Sequence, residues 1–207
     1  MSLAATLWQD NADLAASALA HPFVRRLGDG TLPEPVFAGY VAQDAFYLES
    51  FARAYALAVA HSPDRAGFDA FADLLAGVRD ELALHEGYAA RFGIDLADVS
   101  PLPATLAYTD FLLATAALGG PGQTCAALTP CMRLYAHLGR SLADGTPDDR
   151  YGDWIRTYAD PAFEELAATS EGLLDRYGDT RTAPVYRRAM RLEVEFFEAA
   201  YHAGRSA

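Results

Sequence analysis

Apolar residues along this chain recur at the three- and four-residue spacing of an α-helix, and no run between turns alternates apolar and polar positions as a strand would. Ala and Leu are abundant while Val, Ile and Thr are sparse, which is helix-forming material. Gly and Pro divide the pattern into six or seven main helices. The first covers about residues 2–20. After His21-Pro22-Phe23-Val24, the stretch Leu27-Gly28-Asp29-Gly30-Thr31-Leu32-Pro33 reads as a turn. Pro33 or Pro35 opens a long second helix that reaches about His61. A third follows Ser62-Pro63-Asp64 and ends near Gly93, and a loop from Ile94 to Pro103 leads into a fourth over residues 104–118. Gly119-Gly120-Pro121-Gly122 is a break, and a fifth helix covers about Thr124 to Ala143, ended by Asp144-Gly145-Thr146-Pro147-Asp148. The sixth begins near Asp149, kinks at Asp160-Pro161 and resumes to Tyr177-Gly178. The last runs from about Ala183 to Ala203. No linker or repeat divides the chain, so the expectation is an all-α bundle with one domain over residues 1–207.

Composition narrows the partners. Of 207 residues 52% are hydrophobic and 21% charged, the balance of a folded chain. The 16 Lys+Arg against 28 Asp+Glu leave a net charge of -12, which argues against nucleic acid and against an anionic membrane surface, since both need basic patches. The N-terminal residues lack a basic patch followed by an apolar run, and no long apolar stretch is free of charge, so no membrane association and a cytoplasmic location are expected. Cys125 and Cys131 fall on one predicted helix, where six residues rise about 9 Å, beyond the roughly 7 Å that a disulfide bridges between Cα atoms. Both are expected as free thiols.

Function in a helical bundle is built from polar side chains that point inward. Tyr40, Asp44, Tyr47 and Phe51 are spaced four, three and four apart, which puts one carboxylate on an aromatic stripe. A buried carboxylate needs donors. Asp44 either accepts from a tyrosine hydroxyl or an arginine such as Arg53, or holds a nitrogen-rich ligand between rings. Cys131 and Tyr135 share a face of the fifth helix. Pro130 suggests that this helix bends or restarts, which would place the thiol near a helix start and lower its pKa; an inert buried thiol is the alternative. On the last helix Glu193 shares a face with Phe196, with Phe197 and Tyr201 close by, while Glu195 and Glu198 fall on a solvated side. Glu193 reads either as a surface carboxylate or, near a thiol, as an acid/base group. Tyr108 and Tyr158 add two hydroxyls that core packing alone also explains.

Several signals are missing. No GxGxxG or GxxxxGK[ST] occurs, so no nucleotide-phosphate site is indicated. None of His21, His61, His85, His137 and His202 follows a glutamate by three residues, as the Glu-x-x-His motif of a di-iron bundle requires. Glu81, His85 and Glu86 come nearest to a metal cluster, but one helix cannot close such a site. His21 is the positional candidate for a haem ligand, though Pro22 and the turn after it suggest a structural role.

The chain resembles the TenA family, also called thiaminase II or aminopyrimidine aminohydrolase, over almost its whole length. The resemblance rests on His21-Pro22-Phe23 with Leu27-Gly28-Asp29-Gly30-Thr31-Leu32, on Tyr40-Val41-Ala42-Gln43-Asp44 with Tyr47-Leu48 and Phe51-Ala52-Arg53, on Pro130-Cys131, Tyr135 and Gly139, on Trp154-Ile155 with Tyr158, and on Glu193, Phe196-Phe197 and Ala200. It implies a haem-oxygenase-like bundle without haem, a homotetramer, and no metal or organic cofactor. The implied activity hydrolyses thiamin or an aminomethyl-aminopyrimidine to a hydroxymethylpyrimidine. By position, Cys131 would be the nucleophile and Glu193 the acid/base; Asp44 would bind the amino group and ring nitrogen. Tyr47, Tyr108, Tyr135, Tyr158 and Phe196 would line or hydrogen-bond the pocket. Phe197 stands where the family often has Trp, Met132-Arg133 replaces bulkier aromatics, and the segment between Tyr158 and Glu193 is short. The other readings on this scaffold are a non-catalytic pyrimidine-binding or regulatory protein and a haem or di-iron oxygenase.

Overall fold

The computed structural model describes residues 1–143, 145 and 150–204. Among these there are ten α-helices and no strand: α1 (Leu3–Asp10), α2 (Ala12–Ala20), α3 (Pro22–Gly28), α4 (Glu34–Ala60), α5 (Arg65–Phe92), α6 (Pro103–Leu118), α7 (Pro121–Ala143), α8 (Gly152–Ala159), α9 (Pro161–Tyr177) and α10 (Thr182–Ala203). A single 3-10 turn, Leu96–Asp98, lies in the loop between α5 and α6. The all-α expectation holds, but the expected six to seven helices become ten for local reasons. Asn11 leaves the helical region at φ -114, ψ 19 and turns its side-chain amide back to the Leu7 carbonyl, which separates α1 from α2. His21 is extended and its ring accepts the Phe23 N–H, so it caps a short extra helix, α3, with Pro22 at the first position. Asp160, extended because Pro161 follows, caps α9 through the Ala162 N–H at 2.8 Å, so the expected kink is a complete break between α8 and α9. The expected turn Asp144-Gly145-Thr146-Pro147-Asp148 and the helix start near Asp149 lie, apart from Gly145, outside the described residues.

The long α4 is buried along most of its length and packs against α5, α6 and α10, while α7 packs against α8, α9 and α10. The helices share one aromatic-rich core that includes Phe23, Phe37, Tyr40, Phe51, Tyr108, Trp154, Tyr158 and Phe197. The two cysteines are buried and unbridged. None of the described helices is long and apolar enough to cross a membrane.

Two contacts fix how α7 sits. Gly139 lies against the main chain of α8: a Cβ there would fall 2.4 Å from the carbonyl carbon of Tyr158. Arg133 is buried and its guanidinium forks onto Glu171 at 2.8 and 2.6 Å and onto Glu164 at 2.7 Å, both on α9. A buried guanidinium without such partners would be strongly destabilising, so this orientation of α7 is the one that satisfies it. Gly139→Ala is expected to force α7 and α8 apart at a cost of about 1–3 kcal/mol, seen as a fall in Tm of roughly 2–10 °C by calorimetry. An unchanged Tm would show that the close approach is not required.

Candidate active site

Helical spacing brings the polar groups inward from six helices. The α4 stripe of Tyr40, Asp44, Tyr47 and Phe51 is buried throughout. It is met by Cys131 and Tyr135 from α7, Glu193 and Phe196 from α10, Tyr108 from α6, Tyr158 from α8, and Glu81 and His85 from α5. All eight residues expected from the sequence thus lie in one region of the core.

Asp44 is held on one oxygen. The Tyr40 hydroxyl donates to Oδ2 at 2.9 Å, and His85 Nε2 meets the same oxygen at 2.8 Å. Oδ1 makes no hydrogen bond among the described residues. Of the expected donors the tyrosine is present, whereas Arg53 pairs with Glu49 at 3.1 Å on the exposed side of α4. Tyr40 gives its proton to Asp44, so it accepts from Trp154 Nε1 at 3.4 Å and from the Tyr135 hydroxyl at 3.2 Å.

The second cluster surrounds the thiol. Tyr108 donates to Glu193 Oε1 at 2.6 Å. Burial pushes the Glu193 carboxyl up to about 8, against the pull of the Tyr108 hydrogen bond. Burial also pushes the Cys131 thiol well above its ordinary value, and the charges of Glu193, Glu81 and Asp44 push it the same way. The expectation of an acidified thiol near a helix start is therefore corrected: α7 runs unbroken through Pro130, and Cys131 sits mid-helix, far from any N-terminal N–H groups. The buried Tyr47 hydroxyl lies close to Tyr108, Cys131 and Glu193 but makes no hydrogen bond of good geometry to any of them, an arrangement that favours a ligand able to supply one.

Aromatic rings wall the region. Tyr47 lies 5.4 Å from Phe51, 4.8 Å from Tyr108 and 5.9 Å from Phe196, centroid to centroid, and Tyr135 lies 4.8 Å from Tyr158. Phe197 faces the core behind them, stacked on Phe23 and Tyr40. Outside, Glu195 is exposed as expected, and Glu198 holds His21 Nε2 at 2.7 Å, which gives His21 a structural role at the start of α3.

Glu81 and His85 were not among the expected site residues. One helical turn apart, they share the face of α5 that meets the core, while Glu86 is exposed. Tyr158 donates to Glu81 at 2.5 Å, and burial raises this carboxyl to about 7 despite the opposing charge of His85. Burial works to lower the His85 imidazole, but the hydrogen bond and charge of Asp44 and the charge of Glu81 outweigh it and raise His85 to about 9. Their i, i+4 spacing on a half-apolar helix was the available signal. Among the described residues no cluster of three His, Cys, Asp or Glu has the arrangement of a metal site.

Comparison with known proteins gives a consistent neighbourhood. The TENA/THI-4/PQQC family model matches residues 8–203. The chain is 32% identical to the aminopyrimidine aminohydrolase of Halalkalibacterium halodurans, covering 98% of this chain and 96% of that protein. It is 37% identical to the mitochondrial bifunctional TH2 protein of Arabidopsis thaliana over 86% of this chain, but spans only 34% of that longer protein. Among solved structures, a TenA family transcription regulator from Silicibacter sp. TM1040 superposes with a TM-score of 0.89 at 28% identity, covering 95% of each chain. A domain with a heme oxygenase-like fold from Shewanella denitrificans OS217 gives 0.76 at 19% identity over 97% of this chain and 93% of that one, which shows the fold alone.

The three raised groups act on stability in one direction. Glu81 at about 7 and Glu193 at about 8 lie above the ordinary 4.5, and His85 at about 9 lies above 6.5. In each case the folded chain binds the proton more tightly, so the stabilisation is complete below the ordinary value and is lost as pH rises through the raised one. Thermal melts are expected to show Tm falling between pH 6 and pH 9, with Glu193→Gln flattening part of that slope. A Tm that rises over this range would contradict the burial of these groups in protonated form.

Proposed function

This chain belongs to the TENA/THI-4/PQQC family, and from that premise we propose that it is an aminopyrimidine aminohydrolase of the thiaminase II kind, acting by addition of Cys131 to the pyrimidine ring. The observation that supports this most is the meeting of Cys131 on α7, Glu193 on α10 and the unshared oxygen of Asp44 on α4 within one aromatic enclosure.

The chemistry follows from the groups. A flat pyrimidine packs against the rings of Tyr47 and Phe196. Its amino N–H donates to Asp44 Oδ1. The thiol adds to a ring carbon: the S–C bond forms, the displaced electron pair moves to a ring nitrogen, and that nitrogen takes the thiol proton. A thiol held well above its ordinary pKa stays protonated in the free protein, so it reacts only when a bound ring offers this acceptor. The electron-rich adduct expels the amine from the exocyclic methylene carbon, and Glu193, protonated at neutral pH because its pKa lies near 8, gives the leaving nitrogen a proton. Water then adds to the methylene carbon and returns a proton to Glu193. Cleavage of the S–C bond, with the ring nitrogen giving its proton back to sulfur, restores the aromatic ring. From an aminomethyl-aminopyrimidine the products are ammonia and the hydroxymethylpyrimidine; from thiamin the quaternary ring nitrogen leaves as the neutral thiazole alcohol without taking a proton, and the proton released when water adds passes to solvent. Tyr108 orients Glu193, and Tyr135 and Tyr158 close the enclosure. A homotetramer and a cytoplasmic location go with this reading. The second reading is a regulatory protein, favoured by the description of the Silicibacter neighbour. A net charge of -12 opposes direct DNA contact, and tight duplex binding in a gel shift at physiological salt would favour regulation over catalysis.

Cys131→Ala is expected to reduce ammonia release from the aminopyrimidine to the enzyme-free rate while still binding the hydroxymethylpyrimidine. Glu193→Gln is expected to lower kcat by about two to four powers of ten. Ammonia release by Cys131→Ala at the wild-type rate would overturn the mechanism. Comparing thiamin and the aminopyrimidine in the same assay sets the preferred substrate.

A further inference from the structure

His85 is only 1% exposed, and each of its ring nitrogens faces an oxygen. Nδ1 lies 3.0 Å from the main-chain carbonyl of Glu81, one turn back on α5, and Nε2 lies 2.8 Å from Asp44 Oδ2. A carbonyl oxygen only accepts, so Nδ1 carries a hydrogen. A neutral imidazole would then present a bare Nε2 to the Asp44 carboxylate, lone pair against lone pair. The contact therefore holds a second proton. The Tyr40 hydroxyl cannot be its source, since it already donates its one hydrogen to the same Oδ2.

The surroundings favour that proton on the imidazole. Asp44 faces His85 from α4 and Glu81 from α5. The groove on its outer side, lined by α4, α5 and the 3-10 turn, carries Glu49 and Glu86 and no cation among its lining residues. Tyr88 meets the ring edge-on at 6.0 Å. Every other ionisable group in this shell is an acid, and Arg53 is taken up by Glu49.

We infer that His85 is the positioning residue of the pyrimidine site: as an imidazolium anchored on the Glu81 carbonyl, it donates to Asp44 Oδ2 and leaves Oδ1 as the single oxygen offered to the ligand. The inference rests on the reading of Asp44 as the pyrimidine-binding group. The raised pKa of His85, near 9, agrees with it. It also narrows the ligand class. With Oδ2 occupied by Tyr40 and His85, Asp44 suits a ring that presents an N–H donor to one oxygen, such as a neutral aminopyrimidine. A guanidinium, which binds best across both oxygens, is disfavoured.

The test uses the full chain with 15N-labelled histidine, the His85 signals being assigned by their loss in His85→Gln. Both ring nitrogens of His85 are expected to be protonated at pH 7.5 and to lose a proton only towards pH 9. In Asp44→Asn the ring is expected to be neutral at pH 7.5. A singly protonated His85 in the wild-type protein at pH 7.5, or an unchanged state in Asp44→Asn, overturns the inference. Calorimetric titration with hydroxymethylpyrimidine gives an independent reading. His85→Gln keeps a neutral donor but not the charge, and it is expected to bind about tenfold or more weakly, with a rise in KM that exceeds the fall in kcat. Equal affinity in the two proteins overturns the inference. If the wild-type chain neither binds nor hydrolyses the aminopyrimidine, the proposed function fails, while the 15N spectra still decide the state of His85.

Discussion

Charge burial governs this molecule. Asp44, Glu193 and Cys131 are acids enclosed in an aromatic core with the half-buried Glu81 at its edge, and the side chain placed to balance their charge is the imidazole of His85, which meets Asp44 Oδ2. One positive charge at that depth supports one ionised carboxylate. The remaining acids hold their protons more tightly than they would in water, which is what their raised values express. In the proposed mechanism the division of labour follows from proton accounting: Asp44 would be the fixed acceptor, Glu193 the neutral acid with a proton to give, and Cys131 a thiol that waits for a bound ring. Tyrosines suit this arrangement because each hydroxyl can donate to one neighbour and accept from another without adding charge. The chain from Tyr135 through Tyr40 to Asp44 is such a series.

The scaffold supplies the placement. Asp44, Cys131 and Glu193 stand on three different helices, so their mutual distances depend on helix packing and on no flexible loop. The site is only as accurate as the setting of α4, α7 and α10 against one another. Close approach at Gly139 and the charged fork of Arg133 constrain α7, and the stacked rings of Phe197, Phe23 and Tyr40 join α10 to α3 and α4.

Much of this was legible in the sequence, and what was not has a physical reason. The stripe of Tyr40, Asp44, Tyr47 and Phe51 was readable because a helix repeats every 3.6 residues, and a carboxylate on an apolar face stands out. Prolines were harder. Pro130 and Pro161 give the same local signal, yet α7 continues through the first while the helix ends before the second. At Pro161 the preceding Asp160 satisfies the open N-terminus through Ala162, whereas Pro130 lies within a buried helix held on several sides by α8, α9 and α10. The break at Asn11 depends on a side-chain bond to Leu7 that propensity alone does not reveal. Glu81 and His85 were visible as an i, i+4 pair but looked like an incomplete metal cluster. Periodicity tells which residues share a face of α5, and it does not tell that this face meets Asp44 of α4. Likewise the acidity of Cys131 followed from a supposed helix start that the fold does not contain.

The Arg133 fork has a consequence that reaches beyond its own ion pairs. Consecutive residues on an α-helix are separated by about 100° around the axis, so a twist of α7 would carry the Cys131 sulfur off the face it shares with Tyr135 and turn the Met132 thioether toward that side. The guanidinium two residues beyond Cys131, seated in its carboxylate fork on α9, serves as an angular stop against that twist. In the proposed mechanism the aim of the nucleophile would thus be set by a mechanical key on the opposite side of its helix, an ion pair that takes no part in the chemistry itself.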